Sequence, residues 1–249
     1  MRSIKVLLSP SEFDRLKSMD LSKTTCIVID ILRATSTIVT ALANKVSGVI
    51  PVSTVAEALA MKARYPNAML AGERNSYRIG KDLTGGMEFD FGNSPREFLD
   101  EKGRDRLLIL TTTNGTRAFD ACRHAKSVVA MSFLNLSVIL RYLKSLTDND
   151  FLIICGGTHD EVAMEDVLAA GAIIDGLEGS DRYETNDSAI ISLELYRLKR
   201  QGLRIAIAQS QNGKRLLSIS ELAADIEFCS RQDVYSVLPM MRDGIIAAF

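Results

Sequence analysis

The sequence of 249 residues is poor in the side chains that build disulfides and soft-metal centres. It contains four widely spaced cysteines without a C-x-x-C pair, and its two histidines are His124 and His159. This distribution argues against a disulfide framework, a cysteine zinc site and a histidine-rich metal site. Any bound metal would therefore have mostly oxygen ligands, which indicates magnesium or manganese.

An excess of charge of one sign is also lacking. The chain has 30 lysines and arginines against 31 aspartates and glutamates, for a net charge of −1. This balance gives no excess of positive charge, which binding to nucleic acid or to an acidic membrane would require. No apolar segment approaches membrane-spanning length, and the first apolar run is too short for a signal peptide. We therefore expect a cytoplasmic protein without a nucleic-acid or membrane partner, and self-association into a homo-oligomer stays open.

The chain alternates short apolar runs with helical patterns, and hydrophobic residues make up 47% of it. The apolar runs predict strands at residues 4–8, 26–29, 49–52, 68–71, 107–110, 127–131 and 151–154. This alternation predicts an α/β fold with a mixed, largely parallel sheet covered by helices on both faces. We expect one α/β chain whose weakest division separates two lobes, at about residues 1–180 and 186–249. From residue 186 onward the pattern predicts helices and short helical turns, followed by an apolar end.

The stretch LLILTTTNGTRAF at residues 107–119 predicts a buried strand that runs into an anion-binding turn. Thr112, Thr113, Asn114 and Gly115 supply hydroxyl, amide and backbone N–H groups, and the N-terminus of the following helix faces the same place. The alternative is structural, with Thr113 or Asn114 capping the helix and Gly115 easing the turn. Two similar turns elsewhere favour binding.

The second such turn follows the strand at residues 26–29, which ends in Asp30. A helix is predicted after it, with Thr35 or Ser36 as the N-cap. Between this turn and the anion-binding stretch, the loop at residues 72–95 lacks periodicity, which is typical of functional or disordered loops. Its notable residues are Glu73 and Arg74 at its start and Asn93 and Ser94, the predicted cap of the next helix.

The third turn, Cys155-Gly156-Gly157-Thr158, leads into a helix predicted from residue 160 to about 177. Glu161 and Glu165 are predicted to share one face of that helix. Helix carboxylates are ordinarily solvated, but the apolar neighbours of these two indicate burial, which requires a partner or a metal.

Several familiar catalytic patterns are absent. There is no G-x4-GK phosphate loop, no G-x-G-x-x-G after a strand and no G-x-S-x-G. Cys155 lacks the arginine of a C-x5-R phosphatase motif. Asp30 ends a strand as the nucleophile of haloacid dehalogenase-type phosphatases does, but Leu32 stands where a second aspartate is expected.

If the three turns converge on one crevice, they provide both requirements of phosphoryl transfer, positioning and charge neutralisation. The predicted phosphate donors are Thr35, Ser36, Thr112, Thr113, Asn114, Gly115, Gly156 and Gly157, with Asn93 and Ser94 as further substrate contacts. The predicted oxygen ligands of Mg²⁺ or Mn²⁺ are Asp30, Glu73, Glu165 and Asp166. Because Glu165 and Asp166 point roughly 100° apart on a helix, we expect one of them to reach the ion.

Three arginines beside the motifs, Arg33, Arg74 and Arg117, are predicted to hold a second anionic group of the substrate. Each has the alternative of being a surface or ion-pairing arginine. Asp30 is the first candidate for nucleophile or metal ligand, Glu73 is a further catalytic candidate, and Cys155 is the second candidate for nucleophile. Direct attack by water is the remaining alternative.

Five blocks together resemble the signature of the 2-phosphosulfolactate phosphatase family. They are VIDILRATSTI (28–38), AGER (71–74), FDFGNSP (89–95), LTTTNGTRA (110–118) and CGGTHDEVAMEDVLAAGA (155–172). The resemblance implies magnesium-dependent hydrolysis of 2-phospho-3-sulfolactate to 3-sulfolactate and phosphate, as in coenzyme M biosynthesis. It also implies an α/β fold with the site where two lobes meet.

A non-catalytic sensor for a phosphorylated or sulfonated metabolite is the alternative function. Such a protein needs the anion-binding turns but no acidic cluster. The four carboxylates predicted at the site therefore favour an enzyme that acts on a small anionic phosphate ester.

Overall fold

The computed structural model describes residues 2–177 and 183–249, which form eleven β-strands and ten α-helices. The strands are β1 (Arg2–Leu7), β2 (Thr24–Ile29), β3 (Gly48–Pro51), β4 (Met69–Arg74), β5 (Tyr77–Arg78), β6 (Leu107–Thr111), β7 (Ser127–Met131), β8 (Asp150–Cys155), β9 (Tyr183–Thr185), β10 (Pro239–Arg242) and β11 (Ile245–Ala248). The helices are α1 (Ala34–Ala43), α2 (Val55–Arg64), α3 (Lys81–Thr84), α4 (Gly115–Ala121), α5 (Leu136–Ser145), α6 (Met164–Leu177), α7 (Asp187–Lys199), α8 (Leu203–Gln209), α9 (Gln211–Leu217) and α10 (Ala223–Cys229). Short 3₁₀ helices cover Pro10–Ser18, Pro95–Phe98, Glu101–Gly103, Phe133–Asn135 and Arg200–Gly202.

All eleven strands belong to one sheet, in the order β5-β4-β6-β3-β11-β10-β7-β2-β8-β1-β9. It contains two groups of parallel strands, β4-β6-β3 and β7-β2-β8-β1-β9. The C-terminal hairpin β10–β11 lies between the groups and pairs antiparallel with β7 and β3. The predicted α/β class with a mixed, largely parallel sheet is confirmed, and the division into two lobes stays a prediction.

Twist of the sheet brings the carboxyl ends of both groups to one place. Three antiparallel pairings separate β3 from β7, so the two groups run in opposite directions. Adjacent strands rotate by about 20–25°, which amounts to roughly 100–125° over the five steps from β6 to β2. This rotation offsets most of the difference in direction between the two groups, so their carboxyl ends point toward the same side. The turns after β6 and β8 therefore meet, and the His159 N–H donates to Asn114 Oδ1 at 2.9 Å.

Both faces of the sheet are covered, as predicted. The inner face encloses α1, whose residues from Ala34 to Leu42 are all buried. Alternation along the strands separates the faces: Cys26 and Val28 of β2 belong to the inner core, and Ile27 and Ile29 pack outward with α5, α6 and α7. The outer face of the other group packs mainly with α2. A membrane-spanning helix is not found among the described residues.

The structure corrects three local predictions. Helix α6 begins at Met164, and Glu161 lies before it in a turn closed by reciprocal backbone bonds with Thr158, so Glu161 and Glu165 do not share a helix face. The N-cap of α1 is Arg33, and neither Thr35 nor Ser36 holds that position. The hairpin β10–β11 replaces the apolar end. Its turn at Asp243-Gly244, where both residues have positive φ, is a hairpin signal that the sequence did contain.

Helix α6 is held against α7 at a contact that requires glycine. A Cβ atom on Gly171 would lie 2.1 Å from Ser192 O and 2.6 Å from Tyr196 Cβ. We expect Gly171→Ala to lower the free energy of unfolding by about 1–3 kcal/mol, because the helices must separate. The urea midpoint measures this loss. Gly202→Ala is the control, since a Cβ there meets no atom within 4 Å. Equal midpoints for the two variants would contradict the close contact.

Candidate functional site

A polar cleft lies where β2, β4, β6 and β8 end. It has about 460 Å³ of space, including the part open to solvent. Its walls are formed by Asp30, Leu32, Arg33, Glu73, Asn75, Ser76, Asn93, Thr112, Thr113, Asn114, His159, Arg215 and Leu216.

Asp30 stands at the centre of the three turns. It directly follows β2 and is buried, and its Oδ1 accepts a hydrogen bond from the Ala34 N–H at 3.2 Å. The turn after β6 approaches it so closely that a Cβ on Gly115 would lie 2.5 Å from Asp30 Oδ2. Gly115 is therefore needed for the approach of backbone to carboxylate.

Burial raises the pKa of Asp30 to about 7. Hydrogen bonds from the Ala34 and Gly115 N–H groups act in the opposite direction, and the negative charges of Glu165 and Glu73 raise the pKa further. A carboxyl group with this pKa holds or releases a proton near neutral pH. Perturbed groups of this kind in a cleft are candidates for catalysis.

Glu73 joins the end of β4 to the turn after β6. Its Oε1 accepts hydrogen bonds from the N–H and hydroxyl groups of Thr113, at 2.9 and 2.8 Å. Its Oε2 accepts one from the Ser76 N–H at 2.8 Å. The donors that the sequence predicts for phosphate at Thr113 are thus engaged with a carboxylate of the protein.

The glycine turn after β8 is engaged in the same way. The Gly156 N–H donates to Ile29 O at 2.6 Å, and the Gly157 N–H donates to Asp166 Oδ2 at 3.0 Å. Asp166 Oδ1 also accepts from the Ile31 N–H at 2.8 Å. Asp166 therefore clamps the turn after β2 to the turn after β8. Burial, and then the charges of Asp30 and Glu165, raise its pKa well above the ordinary value.

Glu165 is 1% exposed and lies behind the cleft. Its Oε1 accepts a hydrogen bond from Asn212 Nδ2 at 2.6 Å, and its Oε2 has no partner among the described residues. Burial raises its pKa. The same Asn212 Nδ2 donates to Thr158 Oγ1 at 2.5 Å, so α9 is tied both to α6 and to the turn after β8.

One of the three predicted arginines lies in the cleft. Arg33 is buried there, and it donates to Asp225 Oδ2 at 2.9 Å and to Ser76 O at 3.1 Å. Arg74 donates hydrogen bonds to the main-chain oxygen of Glu73 and to the hydroxyl of Thr111. Arg117 forms an exposed ion pair with Asp160 at 3.4 Å. The predictions that Arg74 and Arg117 hold substrate are therefore not supported by their contacts.

Three further predicted residues do not line the cleft. Cys155 is fully buried in the outer core, and burial raises its thiol pKa well above the ordinary value, which argues against it as a nucleophile. The hydroxyl of Thr35 is bonded to the backbone of Asp30, and that of Ser36 donates to Ile31 O at 2.9 Å.

The predicted cap Asn93-Ser94 lies at the site. Asn93 is buried in the cleft wall, and its Oδ1 has no partner among the described residues. Ser94 Oγ donates to Asp225 Oδ1 at 2.7 Å. Asn93 is therefore part of the cleft wall, and Ser94 helps to hold Asp225.

The four predicted metal ligands do not form one cluster. Within residues 2–177 and 183–249, no group of three or more histidine, cysteine, aspartate or glutamate side chains is arranged to hold a metal ion. Asp30 and Glu73 line the cleft, whereas Asp166 uses both oxygens for backbone N–H groups. Asp30 and Glu73 are the two carboxylates that could contact a cation in the cleft.

Comparison with known proteins identifies the family. The family model described as 2-phosphosulpholactate phosphatase matches residues 12–244. The chain belongs to this family.

Proteins named probable 2-phosphosulfolactate phosphatase are similar over most of their length. The one from Thermotoga petrophila is 40% identical over 221 residues, 89% of this chain and 90% of its own. That from Caldanaerobacter subterraneus is 36% identical over 236 residues, 94% of each chain. That from Clostridium tetani is 33% identical over 245 residues, 98% of this chain and 99% of its own. The predicted family and the class, phosphoric monoester hydrolase, are confirmed.

Sequence reasoning missed several residues of the cleft. His159 is inside one of the family blocks, but no role in the site was predicted for it. Its exposed side chain lines the cleft. Asn75 and Ser76 belong to the loop interpreted as functional. Arg215 of α9 and Asp225 of α10 come from a region in which the sequence shows no chemical motif. No local signal marks them: Asp225 pairs with Arg33, 192 residues away, and Asn212, the partner of Arg215, lies in the same region without a motif.

Proposed function

We propose that this chain hydrolyses a small 2-phospho acid, specifically 2-phospho-3-sulfolactate, to 3-sulfolactate and phosphate. The family and the names of the relatives support this substrate. The structural observation that carries the proposal is the buried carboxyl of Asp30, which has a pKa of about 7 and shares one polar cleft with Glu73 and Arg33.

Asp30 is the proposed reacting group. A carboxylate in this place either attacks the phosphorus or binds the cation at the phosphate. As a nucleophile it would form an aspartyl phosphate while the P–O ester bond breaks and the alcohol leaves with a proton, and water would then hydrolyse the aspartyl phosphate. Rapid quench within the first turnover detects this phosphate-enzyme. Glu73 fixes the turn that carries Thr113, and Asn93 lines the wall of the same cleft.

Magnesium, with manganese as the alternative, is the proposed cofactor. Bound in the cleft, it would neutralise charge on the phosphate oxygens. Magnesium favours one or two protein carboxylates with several retained waters, which suits a cleft with two carboxylates and no larger cluster in the described residues. Asp30 is the first ligand, because Glu73 already accepts three hydrogen bonds. We further propose that the reaction is the coenzyme M biosynthesis type and takes place in the cytoplasm.

Phosphate release from a panel of esters tests the function. We expect turnover of 2-phospho-3-sulfolactate and 2-phospholactate to exceed that of glucose 6-phosphate, to require Mg²⁺ and to stop in excess chelator. Faster turnover of glucose 6-phosphate, which has no anionic group besides its phosphate ester, would reject the substrate class. Full activity in chelator would reject the metal. Binding without any turnover would favour the sensor.

A further inference from the structure

The proposed substrate carries two anionic groups besides its phosphate ester, a carboxylate and a sulfonate. The cleft must therefore offer a cationic donor that is not already neutralised. Two arginines line it, Arg33 and Arg215. Arg33 is 3% exposed and paired with the buried Asp225, so its charge is already balanced.

Arg215 differs from Arg33 in this respect. It takes part in none of the ion pairs found in the described residues, and its side chain is exposed at the cleft. A guanidinium has five N–H donors, and the described hydrogen bond of Arg215 uses one of its terminal nitrogens. Most of its donors are thus available to an anion.

The guanidinium is nevertheless anchored. Its Nη2 donates to Asn212 Oδ1 at 2.7 Å, and Asn212 is 3% exposed. The amide nitrogen of Asn212 is held in turn by Glu165 at 2.6 Å. A donor fixed at one end loses less side-chain entropy when it binds, so this arrangement favours recognition by Arg215.

The surroundings decide on which side of Arg215 an anion would bind. Arg215 and His159 stand between the cleft and a neighbouring groove, and the groove side presents the carboxylates of Asp160 and Glu161. Asp160 is paired with Arg117, and the charge of Glu161 disfavours an anion in the groove. On the cleft side, Asp30 and Glu73 already accept backbone N–H groups, and the neighbours include the amide of Asn93.

We infer that Arg215 binds an anionic group of the substrate other than the phosphate ester, and that Asn212 is its positioning residue. This inference rests on the proposed function and names the residue that recognises the rest of the substrate. The carboxylate and the sulfonate share the chemistry that a guanidinium recognises, and the experiment separates them.

The test compares Arg215→Gln with the parent on three esters. They are 2-phospho-3-sulfolactate, 2-phospholactate, which lacks the sulfonate, and isopropyl phosphate, which lacks both groups. We expect KM for the sulfonated ester to rise about ten- to a hundredfold with kcat within about threefold, because a charged hydrogen bond to the substrate is lost. An equal rise with 2-phospholactate assigns Arg215 to the carboxylate, and an unchanged KM assigns it to the sulfonate.

Two results would overturn the inference: KM unchanged for both acids, or an equal rise for isopropyl phosphate. Lys214→Gln removes a charge from the same helix outside the cleft and should leave KM unchanged, and Arg215→Lys should recover part of the loss. Calorimetric binding of 3-sulfolactate and lactate does not depend on turnover. If the parent bound 3-sulfolactate but hydrolysed no ester, the proposed function would be wrong. The inference would still be tested, because Arg215→Gln should lose this binding.

Discussion

Asp30→Asn should lower kcat by about 10²- to 10⁴-fold, the usual effect of removing a group that transfers or stabilises charge in the reaction. The substitution keeps the shape of the side chain and an oxygen for the Ala34 N–H, so the cleft should stay formed. Phosphate release at saturating 2-phospho-3-sulfolactate and Mg²⁺ measures the loss. Near-normal turnover of a folded variant would remove Asp30 from the mechanism.

The same variant should show the opposite effect on stability. The folded-state pKa of Asp30 is about 7 against an ordinary value of 3.8 for an aspartate, so the folded protein binds the proton more tightly than the unfolded chain does. The associated stability is fully present below about pH 4 and is lost as the pH rises through about 7. This loss is on the order of 4 kcal/mol at most, at 1.36 kcal/mol for each pKa unit.

Denaturation in urea between pH 4 and 8, without Mg²⁺ or phosphate, measures this loss of stability with rising pH. Asp30→Asn removes the ionisable group, so the variant should be more stable than the parent at pH 8 and nearly equal to it at pH 4. Asp120→Asn, at an exposed carboxylate, is the matched control and should follow the parent at every pH. A parent whose stability did not fall more steeply with pH than that of Asp30→Asn would contradict the raised pKa.

Asp225→Ala should destabilise the protein by about 3–5 kcal/mol, the cost of leaving a buried charge without its partner. Asp225 is fully buried and accepts from the buried Arg33 at 2.9 Å and from Ser94 at 2.7 Å. Arg96 also loses an ion pair at 3.4 Å, but this arginine is partly exposed and contributes little. The urea midpoint of the variant, with the slope compared with that of the parent, gives the loss.

A double variant separates the stranded charge from lost packing. Arg33→Met with Asp225→Leu replaces the pair by apolar side chains, so most of the stability should return. A single variant that lost less than about 1 kcal/mol would show that Asp225 is not the essential partner of Arg33.

The main strands were predictable from the sequence because they are short apolar runs between helical patterns. The strand at residues 127–131 matches β7 to the residue, and Thr54 caps α2 at the start of a predicted helix. The hairpin β10–β11 was missed although Asp243-Gly244 marks its turn. Its strands are four residues long and partly exposed, so their periodicity is weak.

The family and the turns that surround the cleft were predictable from the sequence, because a strand end followed by small polar residues is a local pattern. The sequence could not determine how the donors of those turns are used. Thr113 donates to Glu73, which is 40 residues away. Asp166 accepts a hydrogen bond from the Ile31 N–H, 135 residues away, and Arg33 pairs with Asp225, 192 residues away. Such partners are set by the twist of the sheet and the packing of α6, α9 and α10, which bring distant segments together. The tertiary structure therefore decided that Asp30 and Glu73 face the cleft, that Cys155 and Asp166 do not, and that Arg215 lies where the sequence showed no motif.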